Sequence, residues 1–401
     1  MAKKEEIKHI LEMLGSNKIT AEQAANLISA LTDSDEDVKN GIHFDTGSIK
    51  DVVTQMAEMS KNMGQLGARI GHQLMDDMNI PDFGKEPFHV KKMKYILNDD
   101  AGIQVDVSGK INIYQQNEGT DEVLLFIRHN ESTENKLNEY LVLNSSQNNL
   151  NIILDKTCKK TVGVDLHIPA IHLNRVVLIG RNKNVTISGI MAKILEVATI
   201  NGRIEGEDIQ SDRLNVTTSN GRVELSGCKG ETLKVTSANS NIELKNNTFY
   251  DEVSAVSTNG FIKLKNQESS RMIVNSTNGN LTVANGFCDL MKMTSTNGSV
   301  FLTNMTTKYS PKCEIEAVSG NGDINVLANR DSELVFEART ENGQIIIADS
   351  SVKTVKSEKI GNRIIKASGH SLNNKKESSM TEMKLKTFIG MINIDWFDGG
   401  L

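Results

Sequence analysis

Three glutamates recur at one place in a repeating pattern: Glu205, Glu224 and Glu243, each four residues after an asparagine. If those segments are strands stacked in register, the carboxylates form one column at about 4.8 Å spacing. Carboxylates that close could hold a cation or share general acid and general base roles. The next residue of the column is Lys263, and Arg203 and Arg222 occupy the neighbouring outward column. Diagonal ion pairing then accounts for the set as a solvated face, in which each pair is individually weak. No Asp-Asp or Arg-Lys cluster repeats in adjacent segments, as a carbohydrate-cleaving β-helix would need.

Thr217, Thr236, Thr258, Thr277, Thr294 and Thr296 make a second outward group. Strand propensity explains them, and a flat surface for a glycan or peptide ligand is the sharper reading. His167 and His172 flank a proline without metal-ligand spacing, and the other histidines are scattered. Cys158, Cys228, Cys288 and Cys313 form no CxxC pair and read as reduced packing thiols. No phosphate loop, nucleophile elbow or calcium nonapeptide is present. The pattern therefore assigns no catalytic, cofactor-binding or metal residue, and the chain is expected not to be an enzyme and to need no cofactor.

Of the 401 residues 38% are hydrophobic but only 4% aromatic, so Leu, Ile, Val and Met must fill the core. A net charge of −6 excludes a generally basic surface, so no nucleic-acid partner is expected. The opening MAKKEEIKHILEMLG has no apolar signal core, and no run of about 18 apolar residues follows. A cytoplasmic chain is expected, with membrane association or surface exposure only by a non-standard route.

The elements that position these residues fall into distinct stretches. Residues 1–33 carry two helical stripes, Ile7, Ile10, Leu11, Leu14 and then Ala24, Leu27, Ile28, Leu31. Between them Thr20 and Gln23 form a capping box. With its ITAEQ helix start this hairpin resembles the SHOCT-type bacterial oligomerisation module, which implies an interaction role. Residues 34–46 read as an acidic linker. Residues 47–79 read as an amphipathic helix whose heptad-like seam is Ile49, Val52, Met56, Met59, Met63, Leu66 and Ile70. Gly64, Gly67 and Gly71 weaken it, so the seam needs a cover: another copy, the rest of the chain, or a membrane surface.

A repeat decides the fold. Its anchors are Asn201-Gly202, Asn220-Gly221, Asn239-Ser240, Asn259-Gly260, Asn278-Gly279, Asn297-Gly298, Asn321-Gly322 and Asn342-Gly343, with steps of 19, 19, 20, 19, 19, 24 and 21. Ser or Thr stands two residues before each Asn, and apolar residues alternate on both sides. Alternation means strands with one buried face. No second turn signal is regular, so near-constant steps favour a coil in which each strand pairs with its equivalent one repeat later. Stacked asparagines then make an amide ladder, and glycine takes a positive-φ corner. The chain thus reads as mainly β: a single β-solenoid of about 19–20 residues per coil, preceded by a small helical region. Its domain spans 85–395, with irregular first coils over 85–175, regular repeats over 176–350, a polar loop over 353–379 and a last coil over 380–396. Leu141, Leu143, Ser145, Leu150 and Ile152 fit the same register about Gln147-Asn148.

The run VGVDLHIPA followed by repeated TxNGxI resembles the bacterial putative-adhesin family of unknown function, a β-solenoid family, over about residues 100–395. With the N-terminal hairpin, the whole chain resembles the LiaX-type envelope-stress proteins. The resemblance implies a recognition or structural role linked to envelope stress or antimicrobial-peptide response, with the helices mediating self-association, protein partners or membrane contact. The alternatives are a self-assembling scaffold of bactofilin type and a carbohydrate-active β-helix enzyme.

Overall fold

The structure, a computed structural model, describes residues 89–397 apart from 117–120, 131–133, 159, 309, 331, 349–352 and 372–379. The chain divides into the units Met1–Asn79 and Ile80–Leu401. The hairpin over 1–33, the linker 34–46 and the seam from Ile49 to Ile70 lie outside the described residues.

The second unit is mainly β, with a 14-stranded and a 15-stranded sheet. Each repeat lays a long strand in the larger sheet and a short strand in the smaller one; together they make a rung. Gln210–Thr218 pairs in parallel with Met191–Thr199 on one side and Lys229–Ser237 on the other, so that Leu195, Leu214 and Leu233 align. Ile204, Val223, Ile242 and Ile262 align in the short strands. All seven are fully buried, because a period of two turns each to the same face. The buried side chains form one contiguous cluster.

The Asn corner holds the rungs together, though not entirely as the sequence suggests. Asn182, Asn201, Asn220, Asn239, Asn259, Asn278, Asn297 and Asn321 are joined in series, each side-chain amide donating to the one before at 2.5–2.8 Å. This ladder lies at the surface. The anchor glycines do not take positive φ in the regular repeats. Glycine is required there for close approach: a Cβ on Gly260 would overlap the Ser240 carbonyl, and one on Gly279 the Gly260 carbonyl.

The serine or threonine two residues before each Asn is the buried clip. Ser276 Oγ accepts from Gly279 N at 2.9 Å and donates to the Gly260 carbonyl one rung back at 3.2 Å. Ser295 and Ser319 repeat both bonds. We expect Ser276→Ala to cost about 2 kcal/mol, since it strands a buried donor and a buried acceptor. Asn259→Ala should cost no more than about 1 kcal/mol, because water can replace an exposed amide. Denaturant melts of the two variants check the order.

A second regular corner exists, contrary to the sequence reading. Gly189, Asp208, Gly227, Asn246, Asn266, Asn285 and Asn304, seven residues after successive anchors, all have φ between 50 and 71°. Only Gly, Asn and Asp adopt that region readily. The four asparagines form their own amide ladder at 2.7–3.3 Å.

The ends depart furthest from the reading. Leu141–Ser146 and Asn149–Leu154 form an antiparallel hairpin across Gln147-Asn148, not a coil corner. The segment 353–379 is not a polar loop throughout. Lys353–Ile360 and Arg363–Ser371 form an antiparallel hairpin about Gly361, and its second strand pairs with Glu333–Thr340. Its polar composition, with Lys356 and Lys359, suits strands at a sheet edge, where charge blocks further pairing. Rung order is also broken at both ends. Gly102–Val107 lies between Asn149–Leu154 and His172–Gly180. The last rung, Met380–Thr387 with Ile392–Phe397, lies between the rungs of Lys312–Ser319 and Glu333–Thr340. Asn342 is therefore not the next member after Asn321: register places Ile389, 42% exposed, between them. No helix among the described residues is long and apolar enough to cross a membrane.

Candidate interaction face

The structure brings Glu205, Glu224 and Glu243 into one column on the outward face of the smaller sheet, followed by Lys263. Two arginines interleave them. Arg203 pairs with Glu205 at 2.8 Å and with Glu224, and Arg222 pairs with Glu224 at 2.5 Å and Glu243 at 2.9 Å. Each guanidinium thus joins the carboxylate of its own rung to that of the next, and contact with Glu224 raises the Arg203 pKa. Among the described residues no group of acids, histidines and cysteines could hold a metal ion. A cavity among the described residues, lined by Leu302, Met305, Val326, Leu334 and Met383 among others, has room for about one water molecule. The carboxylates are engaged in ion pairs with the two arginines.

Glu224→Gln keeps the shape and removes the charge that two arginines share. Its side chain is part exposed, so we expect a loss below about 1 kcal/mol in a thermal melt. Loss of a specific glycan cleavage in this variant would instead assign the column to catalysis.

The threonines divide into two sets. Thr217 and Thr236 face each other on the outer face of the larger sheet, with Thr294 farther along the same column. Thr258, Thr277 and Thr296 immediately precede ladder asparagines. They form no single surface.

The cysteines include one close pair. Cys288 and Cys313 are buried with their sulfurs 3.3 Å apart. Contact with Cys313, together with burial, holds the Cys288 thiol well above its ordinary pKa, and burial pushes Cys228 up to about 12. These are packing thiols, not nucleophiles.

The sequence reading overlooked the apolar continuation of the outward face. Phe301 stands in the glutamate column, two rungs beyond Lys263, and Ile346 ends that column. Phe261 and Met391 occupy the arginine column, directly after their glycines. All four remain exposed, at 38–42%. Their signal was available: each is an apolar residue at an outward position of the repeat, where charge or threonine is usual. The face therefore passes along its length from a cross-linked charge ladder to spaced apolar side chains.

Several solved structures are similar to the chain at low identity. A "putative adhesin" from Bacteroides fragilis matches at 12% identity over 76% of this chain and 97% of that one, with a TM-score of 0.31. A "putative lipid binding protein" from Parabacteroides distasonis matches at 12% identity over 76% and 96%, with a TM-score of 0.36. A "putative adhesin" from Parabacteroides merdae matches at 17% identity over 60% and 89%, with a TM-score of 0.30. No curated protein matches. Residues 98–274, which include the first regular rungs and the whole Glu–Arg ladder, are similar to the Toastrack DUF4097 family.

Proposed function

We propose that this chain is a non-enzymatic recognition protein: a single β-solenoid that binds a partner through the outward face of its smaller sheet. The exposure of Phe261, Phe301, Ile346 and Met391 beside an ordered charge ladder carries this reading. Exposed apolar side chains rimmed by charge suit a contact surface better than a solvated one. The resemblance to LiaX-type proteins with a SHOCT-like hairpin supports a role in envelope stress or antimicrobial-peptide response. In that role residues 1–79 would mediate oligomerisation or membrane association. A bactofilin-type filament is less well supported. Antiparallel strands cap both sheets at one end, His89–Ile96 and Leu141–Ser146, and the larger sheet at the other, Lys353–Ile360, whereas a continuing filament would need parallel edges in both sheets.

The test is co-sedimentation of the full chain with isolated bacterial envelopes, wild type against a Phe261→Ser, Phe301→Ser double variant. Binding by the wild type and its loss in a variant of unchanged melting temperature are expected. Equal binding by both would remove this face from the account.

A further inference from the structure

The rungs of Lys312–Ser319 with Ile324–Asn329 and of Glu333–Thr340 with Ile345–Ile347 are consecutive in sequence but are not neighbours in the sheets. They form the two walls of a slot. The occupant, Met380–Thr387 with Ile392–Phe397, comes from beyond the hairpin and pairs in parallel with both walls. Register is continuous through all three layers: Ile315 with Met383 and Phe336, Ala317 with Leu385 and Ala338, and Ile324 with Ile392 and Ile345.

The slot selects its occupant by charge as well as shape. Glu316 on one wall and Glu337 on the other face the same position, which Lys384 fills. Lys312 pairs with Glu382 of the occupant at 3.2 Å. Met383, Leu385, Ile392, Ile394 and Trp396 supply its buried side chains. An occupant without the lysine would leave both carboxylates without an opposite charge on the adjacent strand, where such a pair is stabilising. If the slot were empty and its walls met, Asn342 would follow Asn321 directly, but Glu316 would then stand beside Glu337, a like-charge pair that disfavours closure.

We propose that this slot is an interaction site for the same segment, residues 380–397, of a second copy of this chain. A second copy offers identical side chains in identical register, so the exchanged and closed forms share their contacts. Their balance is set by chain connection and concentration and needs no new interface. Reciprocal exchange closes a dimer, whereas one-way exchange leaves an open run of molecules. This association needs nothing from residues 1–79, and the exchanged segment carries Met391 of the outward face with it.

The experiment uses the full wild-type chain. Light and heavy-nitrogen chains are mixed, unfolded and refolded together at rising concentration, then treated with a zero-length carbodiimide, which joins Lys312 to Glu382. The joined peptides are read by mass spectrometry, and same-isotope pairs from closed molecules serve as the internal standard. Exchange predicts mixed-isotope Lys312–Glu382 pairs in the oligomeric fraction, increasing with concentration and missing from the monomer. Same-isotope pairs alone at every concentration would overturn the proposal. Lys384→Glu gives a second reading, because it places three glutamates in one column. It should abolish mixed pairs and shift to the red the emission of Trp396, the only tryptophan. Unaltered emission and exchange in this variant would overturn the charge selection.

Discussion

Phe249→Ala is expected to destabilise the β-unit by about 3–5 kcal/mol, the range for deleting a large buried ring. Phe249 is fully buried, and it stands opposite Gly230 on the adjacent strand. A Cβ on Gly230 would come within 3.2 Å of the Phe249 ring while also overlapping the Ser211 carbonyl. The glycine thus makes room for the ring, and its backbone already lies against the Ser211 carbonyl of the strand on its other side, so it has no space to shift there when the phenyl is removed. Tyr250, the next residue, is 68% exposed, and Tyr250→Ala should stay within about 0.5 kcal/mol of wild type. Urea midpoints for both variants check the contrast. Equal midpoints would mean that the strand is not oriented as described.

Gly279→Val is the other severe substitution, expected to cost about 3 kcal/mol. Its Cβ would overlap the Gly260 carbonyl and come within 2.9 Å of the Phe261 nitrogen. Both are backbone atoms of the preceding rung, so no side chain can swing aside. The loss comes from forced separation of rungs and not from φ, since the anchor glycines of the regular repeats have ordinary φ. Ser240 occupies the same column and already carries a Cβ. Ser240→Ala should therefore remain within about 0.5 kcal/mol of wild type. A Gly279→Val chain that melts like the wild type would exclude the close approach of rungs.

The regular rungs were legible in the sequence because each structural demand repeats at one interval. Leu195, Leu214 and Leu233 mark the buried face, and Asn201, Asn220 and Asn239 the exposed ladder. The second corner was harder to read because Gly189, Asp208 and Asn246 meet one φ requirement with three residue types. The ends were misread for a different reason. Strand alternation predicts that a segment will be paired but carries no information on which neighbour it joins. Met383 and Leu385 fit a last coil by pattern, yet the stack places them one rung earlier than their sequence position implies. The stacking of the glutamates and their ion pairs with Arg203 and Arg222 could be anticipated because the offset of two residues is fixed by the strand. Phe261, Phe301, Ile346 and Met391 went unread because each departs from the usual outward residue only singly, which leaves the buried alternation that marks the strand undisturbed.

Equivalent residues of successive rungs stack in parallel, with the last rung of the sequence inserted before the preceding one. Lys234, Lys292, Lys384 and Glu337 occupy one outward column of the larger sheet, with Lys384 between Glu316 and Glu337. Spin labels at Lys234 paired in turn with Lys292, Lys384 and Glu337 measure the column directly by dipolar spectroscopy. The account predicts backbone separations of about 14, 24 and 29 Å, at about 4.8 Å per rung. A separation from Lys234 to Glu337 shorter than that to Lys384, or distances that do not grow along the series, would contradict it.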